Sequence, residues 1–243
     1  MITNVSKTEV AVFMKDPISI SLNVNGSILQ TEKTMKVLGV TFKHDLNWST
    51  HVNQTIRKAS GLLGRLRFMK RNLTTHQILK VTTAYFYPTV YYGAEAWLSS
   101  ATLTSNEWRL LNTSHYKALR IAVGDLKRKW SRKKLTETCK RATPREWAHY
   151  SLANVVYSIL LNKEPLHLYN GILSEMTLNE RKPLRPRFYD SSRTKVGKQA
   201  LKNRIADTAS RIQEDWYSNN ITKDQLRTIF KRAFFSYFDK NKL

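Results

Sequence analysis

The spacing of apolar residues changes once along this chain, and that change limits what it can fold into. Up to residue 42 the apolar positions alternate, as Val10 and Val12 and then Ile18, Ile20, Leu22 and Val24, which is the period of a strand with one covered face. Asn25-Gly26 follows at once, and both residues tolerate the positive φ that a two-residue hairpin turn demands. Residues 27–31 are therefore expected to return antiparallel, and a third strand is predicted over Met35 to Phe42 after a polar turn. From His51 the period becomes helical. Val52, Ile56, Ala59, Leu63 and Leu66 form one apolar stripe while Arg57, Lys58 and Arg65 project from other faces. The expected fold is mainly α, with an N-terminal antiparallel hairpin and third strand, an α+β chain whose later part is helical throughout.

Gly61 and Gly64 lie off that stripe. Each costs about 1 kcal/mol relative to Ala inside a helix, so something should come close there: a ligand, another backbone, or a packed helix of the same chain. A second helix is predicted from an N-cap at Thr74 or Thr75, burying Ile78, Leu79, Thr82 and Phe86 until Pro88 interrupts it, and a third from Tyr91 to Trp97. Ser105 is the expected cap of a helix to Val123, with Trp108, Leu111, His115 and Leu119 on one side and Gly124 as its stop. Thr143-Pro144-Arg145-Glu146 has the form of a capping box with proline at the first helical position, opening a helix to about Asn162. Pro165 should then open a short helix through Tyr169, Ile172 and Met176. An extended basic connector is expected near 177–194, including Arg181 to Arg187, before two last helices with Leu201, Ile205, Ile212 and Trp216, then Leu226, Phe230, Ala233 and Tyr237, as their apolar faces.

Charge narrows the partner. The 243 residues carry 41 Lys plus Arg against 18 Asp plus Glu, a formal net charge of +23, more than solubility requires and suited to a polyanion. Six of the eight residues from Lys127 to Lys134 are basic: Lys127, Arg128, Lys129, Arg132, Lys133 and Lys134 surround Trp130 and Ser131. Such a cluster is either a solvated loop or a surface for phosphate contact with stacking on the indole, the latter suiting single strands or RNA-containing duplexes. A membrane surface is the weaker alternative, because no stretch reaches the roughly 18 apolar residues of a span. With Cys139 as the single cysteine there is no intrachain disulfide and no zinc knuckle. His44, His51, His76, His115, His149 and His167 are scattered without ligand spacing. No secretory leader follows Met1, so an intracellular protein is expected. Gly-x-Ser-x-Gly, Walker and His-Glu-x-x-His patterns are all absent, which argues against hydrolase and ATPase chemistry.

Val37-Leu38-Gly39-Val40, Leu46-Asn47-Trp48, His51 and Tyr92-Gly93-Ala94-Glu95-Ala96-Trp97 together resemble the segment of non-LTR retrotransposon reverse transcriptases that runs from the end of the palm through the thumb. Asn4 to Glu9, followed by Val10 to Phe13, is similar to the stretch just after the catalytic aspartates of that family. The resemblance covers residues 1 to about 100 and continues more weakly through Thr143 to Trp147 and Trp216. It implies a palm remnant over 1–42, a helical thumb over 43–123 and a basic helical region over 124–243. It also implies that Lys7 matches the lysine beside the incoming triphosphate and that Val37 to Val40, Gly39 included, match the primer grip. Read from the residues alone, Lys7 is an ordinary loop lysine, Val37 to Val40 a core strand, and Trp48 more readily a core cap than a base-stacking platform.

The eight aspartates are isolated and no Tyr-x-Asp-Asp occurs, so the paired carboxylates that hold two metal ions in polymerases are not in this sequence. Magnesium is expected only for a complete polymerase, and this chain alone is expected to be inactive. The implied partners are RNA, RNA–DNA or DNA duplex and the remainder of the polymerase, and the implied setting is a ribonucleoprotein of nucleus and cytoplasm. The nucleic-acid-binding residues are expected to be Lys7, Gly39, Arg57, Lys58, Gly61, Gly64, Arg65 and the cluster from Lys127 to Lys134. A stand-alone nucleic-acid-binding protein derived from such an element, or a truncated relic, fits the same residues. The cysteine-histidine motif that some relatives carry near the C-terminus is missing.

Overall fold

In the computed structural model, which describes residues 8–16, 18–99 and 102–170, Asn25 and Gly26 sit at φ of 51° and 81°. They close β1 (Ser21–Val24) onto β2 (Ser27–Gln30), antiparallel with Leu22 opposite Leu29. The Asn23 side chain accepts the Gly26 amide at 3.0 Å, which holds the turn.

The third strand is not one strand. Met35 to Phe42 is a second hairpin, β3 (Thr34–Val37) against β4 (Val40–Lys43), with Met35 opposite Phe42 and the turn at Leu38 and Gly39. Gly39 takes φ of 86° without a Cβ penalty, and the chain reverses there instead of continuing. Leu38 is consequently thrown outward, 86% exposed, and Val37 is exposed too, so Val40 is the one core side chain of the four.

The helical stripe from His51 is borne out in α1 (Ser49–Met69), where Val52, Ala59, Leu63 and Leu66 are buried and Ile56 packs against them. Thr74 caps α2 (Thr75–Val81) in a reciprocal box with Gln77. Pro88 does not end the helical path. A π-helical turn over Thr82–Phe86 leads into α3 (Tyr87–Val90), the Tyr87 amide donating to the Thr82 carbonyl five residues back, and Pro88 falls in the first turn of α3 where no N–H is needed. Thr82 and Phe86 are nonetheless fully buried. The predicted helix from Tyr91 to Trp97 is shorter, α4 (Ala94–Trp97), because Gly93 at φ 60° makes a turn ahead of it.

Beyond it, α5 (Ser105–Val123) ends at left-handed Gly124 as predicted, but its cap is Thr104, boxed with Glu107. A short α6 (Arg132–Cys139) starts inside the basic cluster, capped by Ser131. Thr143 and Glu146 form the predicted box at the head of α7 (Pro144–Asn162). Each such cap is worth about 1 kcal/mol. Residues 166–170 are helical. Ile172 and Met176, the connector at 177–194, the two last helices with Trp216, and Lys7 all lie outside the described residues.

One apolar cluster runs from Val40 and Trp48 through α1, α3, α4 and α5 to Ala148 of α7. A second gathers Ile78 and Leu79 of α2, Leu119 and Ala122 of α5, and Leu135 and Cys139 of α6. Helix α5 is common to both, packing along α1 on one side and against α2 and α6 on another. It is thus the strut that joins α1 to the basic cluster.

Candidate nucleic-acid interface

Burying the stripe of α1 against α5 leaves the opposite side of the helix in solvent. Residues four apart share a helix face, so Arg57, Gly61 and Arg65 form one outward row, with Lys58 and Gly64 beside it, all exposed. A Cβ built on Gly61 or Gly64 would meet nothing within 4 Å. Packing against another helix therefore has no partner among the described residues. Phe68 continues this side one turn on, 67% exposed, with the Arg71 guanidinium 5.7 Å from its ring centre. Sequence reading passed over this aromatic, although its spacing from Gly61 and Gly64 would have found it.

The second basic site is a built loop rather than a free tail. Asp125 follows the stop glycine of α5 and its carboxylate accepts the Lys129 amide at 2.8 Å and the Trp130 amide at 3.0 Å, while Arg120 one turn back pairs with the same group. Burial opposes ionisation of Asp125, but the Trp130 and Lys129 amides and the Arg120 guanidinium outweigh it and hold the carboxyl below its usual range. Lys127, Arg128, Lys129, Arg132 and Lys133 are exposed, and none of them is ion-paired among the described residues. Trp130 is half-buried and leans on the second cluster, and the Lys134 ammonium lies 4.4 Å from its ring centre. That indole face is therefore occupied by a cation of the chain itself and is not open for a base to stack on. Neither Asp125 nor Arg120 was singled out in the sequence; the signal was a lone acid heading a basic run.

Gly39 lies elsewhere, on the hairpin turn. A Cβ there would stand 3.1 Å from Tyr92 Cε1, and one on Gly93 would stand 2.9 Å from Val40 Cγ2, so the β3–β4 turn and the Tyr91–Gly93 turn fit because both carry glycine. Beside them Phe42 and Trp48 (5.3 Å) and His51 and Trp97 (4.9 Å) meet ring to ring. The Thr41 amide donates to His51 Nδ1 at 3.2 Å, which requires that nitrogen to be unprotonated; burial first, and Lys58 second, push the imidazole down to about 4. Of the quoted motif residues, Trp48, His51 and Trp97 thus meet, with Phe42, in one aromatic node joining β4, α1 and α4. Trp48 belongs to the core there, only 8% exposed.

A second node holds α7 to the bundle. Tyr91 stacks on Trp147, Tyr87 stacks on His115, and Tyr91 Oη lies 2.9 Å from His115 Nδ1. Complete burial pushes His115 down to about 3, and burial raises the Cys139 thiol to about 11 despite Arg141, so neither is a reactive group at neutral pH. Among the described residues no three His, Cys, Asp or Glu side chains converge as metal ligands, and none of the described helices is long and apolar enough to cross a membrane. Comparison with models of protein families, with curated proteins and with solved structures finds no match to this chain.

Proposed function

We propose that this chain grips nucleic acid as the C-terminal part of an RNA-directed DNA polymerase of the non-LTR retrotransposon type, contributing backbone contacts and no catalytic carboxylate. The observation that carries the binding reading is the outward side of α1, where Arg57, Lys58 and Arg65 flank two glycines that nothing among the described residues approaches. Cations supply phosphate neutralisation, and the missing side chains let a sugar-phosphate backbone lie close to the helix. The loop from Lys127 to Lys134 adds a second group of exposed cations on the far end of α5. The polymerase part of the reading rests on the motif residues from Val37 to Trp97, whose resemblance is one of sequence. The partners on this reading are RNA, an RNA–DNA or DNA duplex and the rest of the enzyme, within a ribonucleoprotein.

The test is a binding titration of the purified chain against a labelled RNA–DNA primer-template across a salt series. Tight binding with a log–log salt slope of about −0.9 for each phosphate neutralised is expected, somewhat shallower on single strands. Reversing Arg57, Lys58 and Arg65 to Glu, or Lys127, Lys129 and Lys133 to Glu, should each weaken binding while circular dichroism stays unchanged, since none is a core residue. A flat salt response, or unchanged affinity in both variants, overturns the binding reading. The polymerase assignment is tested separately by the genomic sequence upstream of Met1, where an in-frame Tyr-x-Asp-Asp is expected and its absence counts against it.

A further inference from the structure

The cations of the second basic site owe their arrangement to an acid. Four features converge on Asp125. Gly124 ends α5 in the left-handed region at φ 78°. The Asp125 amide then bonds back to the Arg120 carbonyl at 2.9 Å, and the Asp125 carbonyl receives the Arg128 amide at 3.3 Å. Its carboxylate takes the Lys129 and Trp130 amides on separate oxygens. Arg120, projecting from the last turn of α5, closes the ring by pairing with Oδ2. The loop so formed holds Arg128 at φ 55°, a conformation that a residue with a Cβ leaves when nothing constrains it. A bare run of like charges repels itself and spreads; here the run is folded back around one carboxylate and its ammonium and guanidinium groups stay outside.

We infer that Asp125, clamped by Arg120, is a positioning residue for polyanion binding: it holds Lys127, Arg128 and Lys129 in one arrangement next to Arg132 and Lys133 so that they meet phosphates together. The inference rests on the nucleic-acid reading above and adds that an acidic side chain, unfavourable to a polyanion by its charge, promotes the contact by its geometry. Charge and geometry then act in opposite senses on the same substitution. Asp125→Asn makes the chain more positive by one unit, which by charge alone tightens binding. It also removes the ion pair and weakens the two amide bonds, which releases the loop.

The experiment measures binding of wild type, Asp125→Asn, Asp125→Glu and the Lys127→Glu/Lys129→Glu/Lys133→Glu variant to a labelled RNA–DNA primer-template over a salt series. Thermal melts confirm that each is folded at the working temperature. Losing two concerted phosphate contacts lowers the log–log slope by about 1.8, which at roughly 0.1 M salt is up to about 60-fold in affinity. Asp125→Asn is expected to bind more weakly than wild type with a shallower slope, against its gain in charge. Asp125→Glu, which keeps the net charge but cannot reach both amides with the same geometry, should move the same way by less, and carries the test if the Asn variant does not fold. Wild-type affinity or tighter binding in the Asp125 variants, with an undiminished slope, overturns the inference while leaving the binding reading intact, provided the triple reversal still weakens binding. If wild type shows no salt-dependent binding, both fall; if only the triple reversal has no effect, the inference falls and the binding reading rests on α1 alone.

Discussion

Replacing Gly61 and Gly64 by alanine should make this protein more stable and worse at holding a duplex. Both glycines lie inside α1 (Ser49–Met69), at least one full turn from either end. Neither has a positive φ, and a Cβ at either place meets nothing within 4 Å, so the helix-propensity difference is expected in full with no steric offset. That difference is about 0.8–1 kcal/mol per site, or about 2 kcal/mol for the pair. In a chain of this size, about 2 kcal/mol raises the melting temperature by roughly 4–8 °C. Urea unfolding followed by circular dichroism measures the first effect and the primer-template titration the second. The stability gain should appear with one alanine at either position and add across both. Tryptophan at Gly64 should weaken duplex binding more than single-strand binding, because the duplex is the ligand that has to lie close along the helix. No gain in stability from either alanine would refute the statement that these glycines face open solvent. A gain in stability with unaltered duplex affinity in the tryptophan variant would remove α1 from the interface.

Acid should destabilise the fold through its buried imidazoles. Burial lowers His115 from 6.5 to about 3 and His51 to about 4, so the unfolded chain binds more protons than the folded one between those values and 6.5, and stability falls as pH falls through that window. For His115 the loss reaches about 2–3 kcal/mol by about pH 4.5, and His51 adds in the same direction; urea midpoints that do not change between about pH 7.5 and 4.5 would contradict this. Gly93→Ala should destabilise by about 2–4 kcal/mol, because it forces a Cβ into the left-handed region and against Val40 Cγ2, 2.9 Å away; a melting temperature equal to wild type would show that the two turns can separate freely. The purified chain should incorporate no nucleotide on a primed RNA template with magnesium, and sustained incorporation by clean protein would refute the expectation drawn from its isolated aspartates.

Local rules decided which segments are helical and where several of them begin and end. Thr143 with Glu146, Gly124 after Val123, and Asn25-Gly26 each act through neighbours within a few residues, so the sequence alone sufficed for them. The stripe from Val52 to Leu66 likewise named the buried side of α1, and with it the outward placement of Arg57, Lys58 and Arg65. The misses come from contacts between distant residues and from one local change of helix type. Leu38-Gly39 turns where a strand was expected because the hairpin seats Gly39 against Tyr92 and Val40 against Gly93, and Pro88 rides through because a π-helical turn shifts the hydrogen-bonding register ahead of it. The basic cluster was visible as charge, but its shape was not: Arg120 and Asp125 hold it through the end of α5. Whether Trp130 offers an open face depended in turn on where Lys134 came to lie. Periodicity reports which side of an element is apolar, whereas the direction a polar group takes is settled by partners that only folding brings within hydrogen-bond reach.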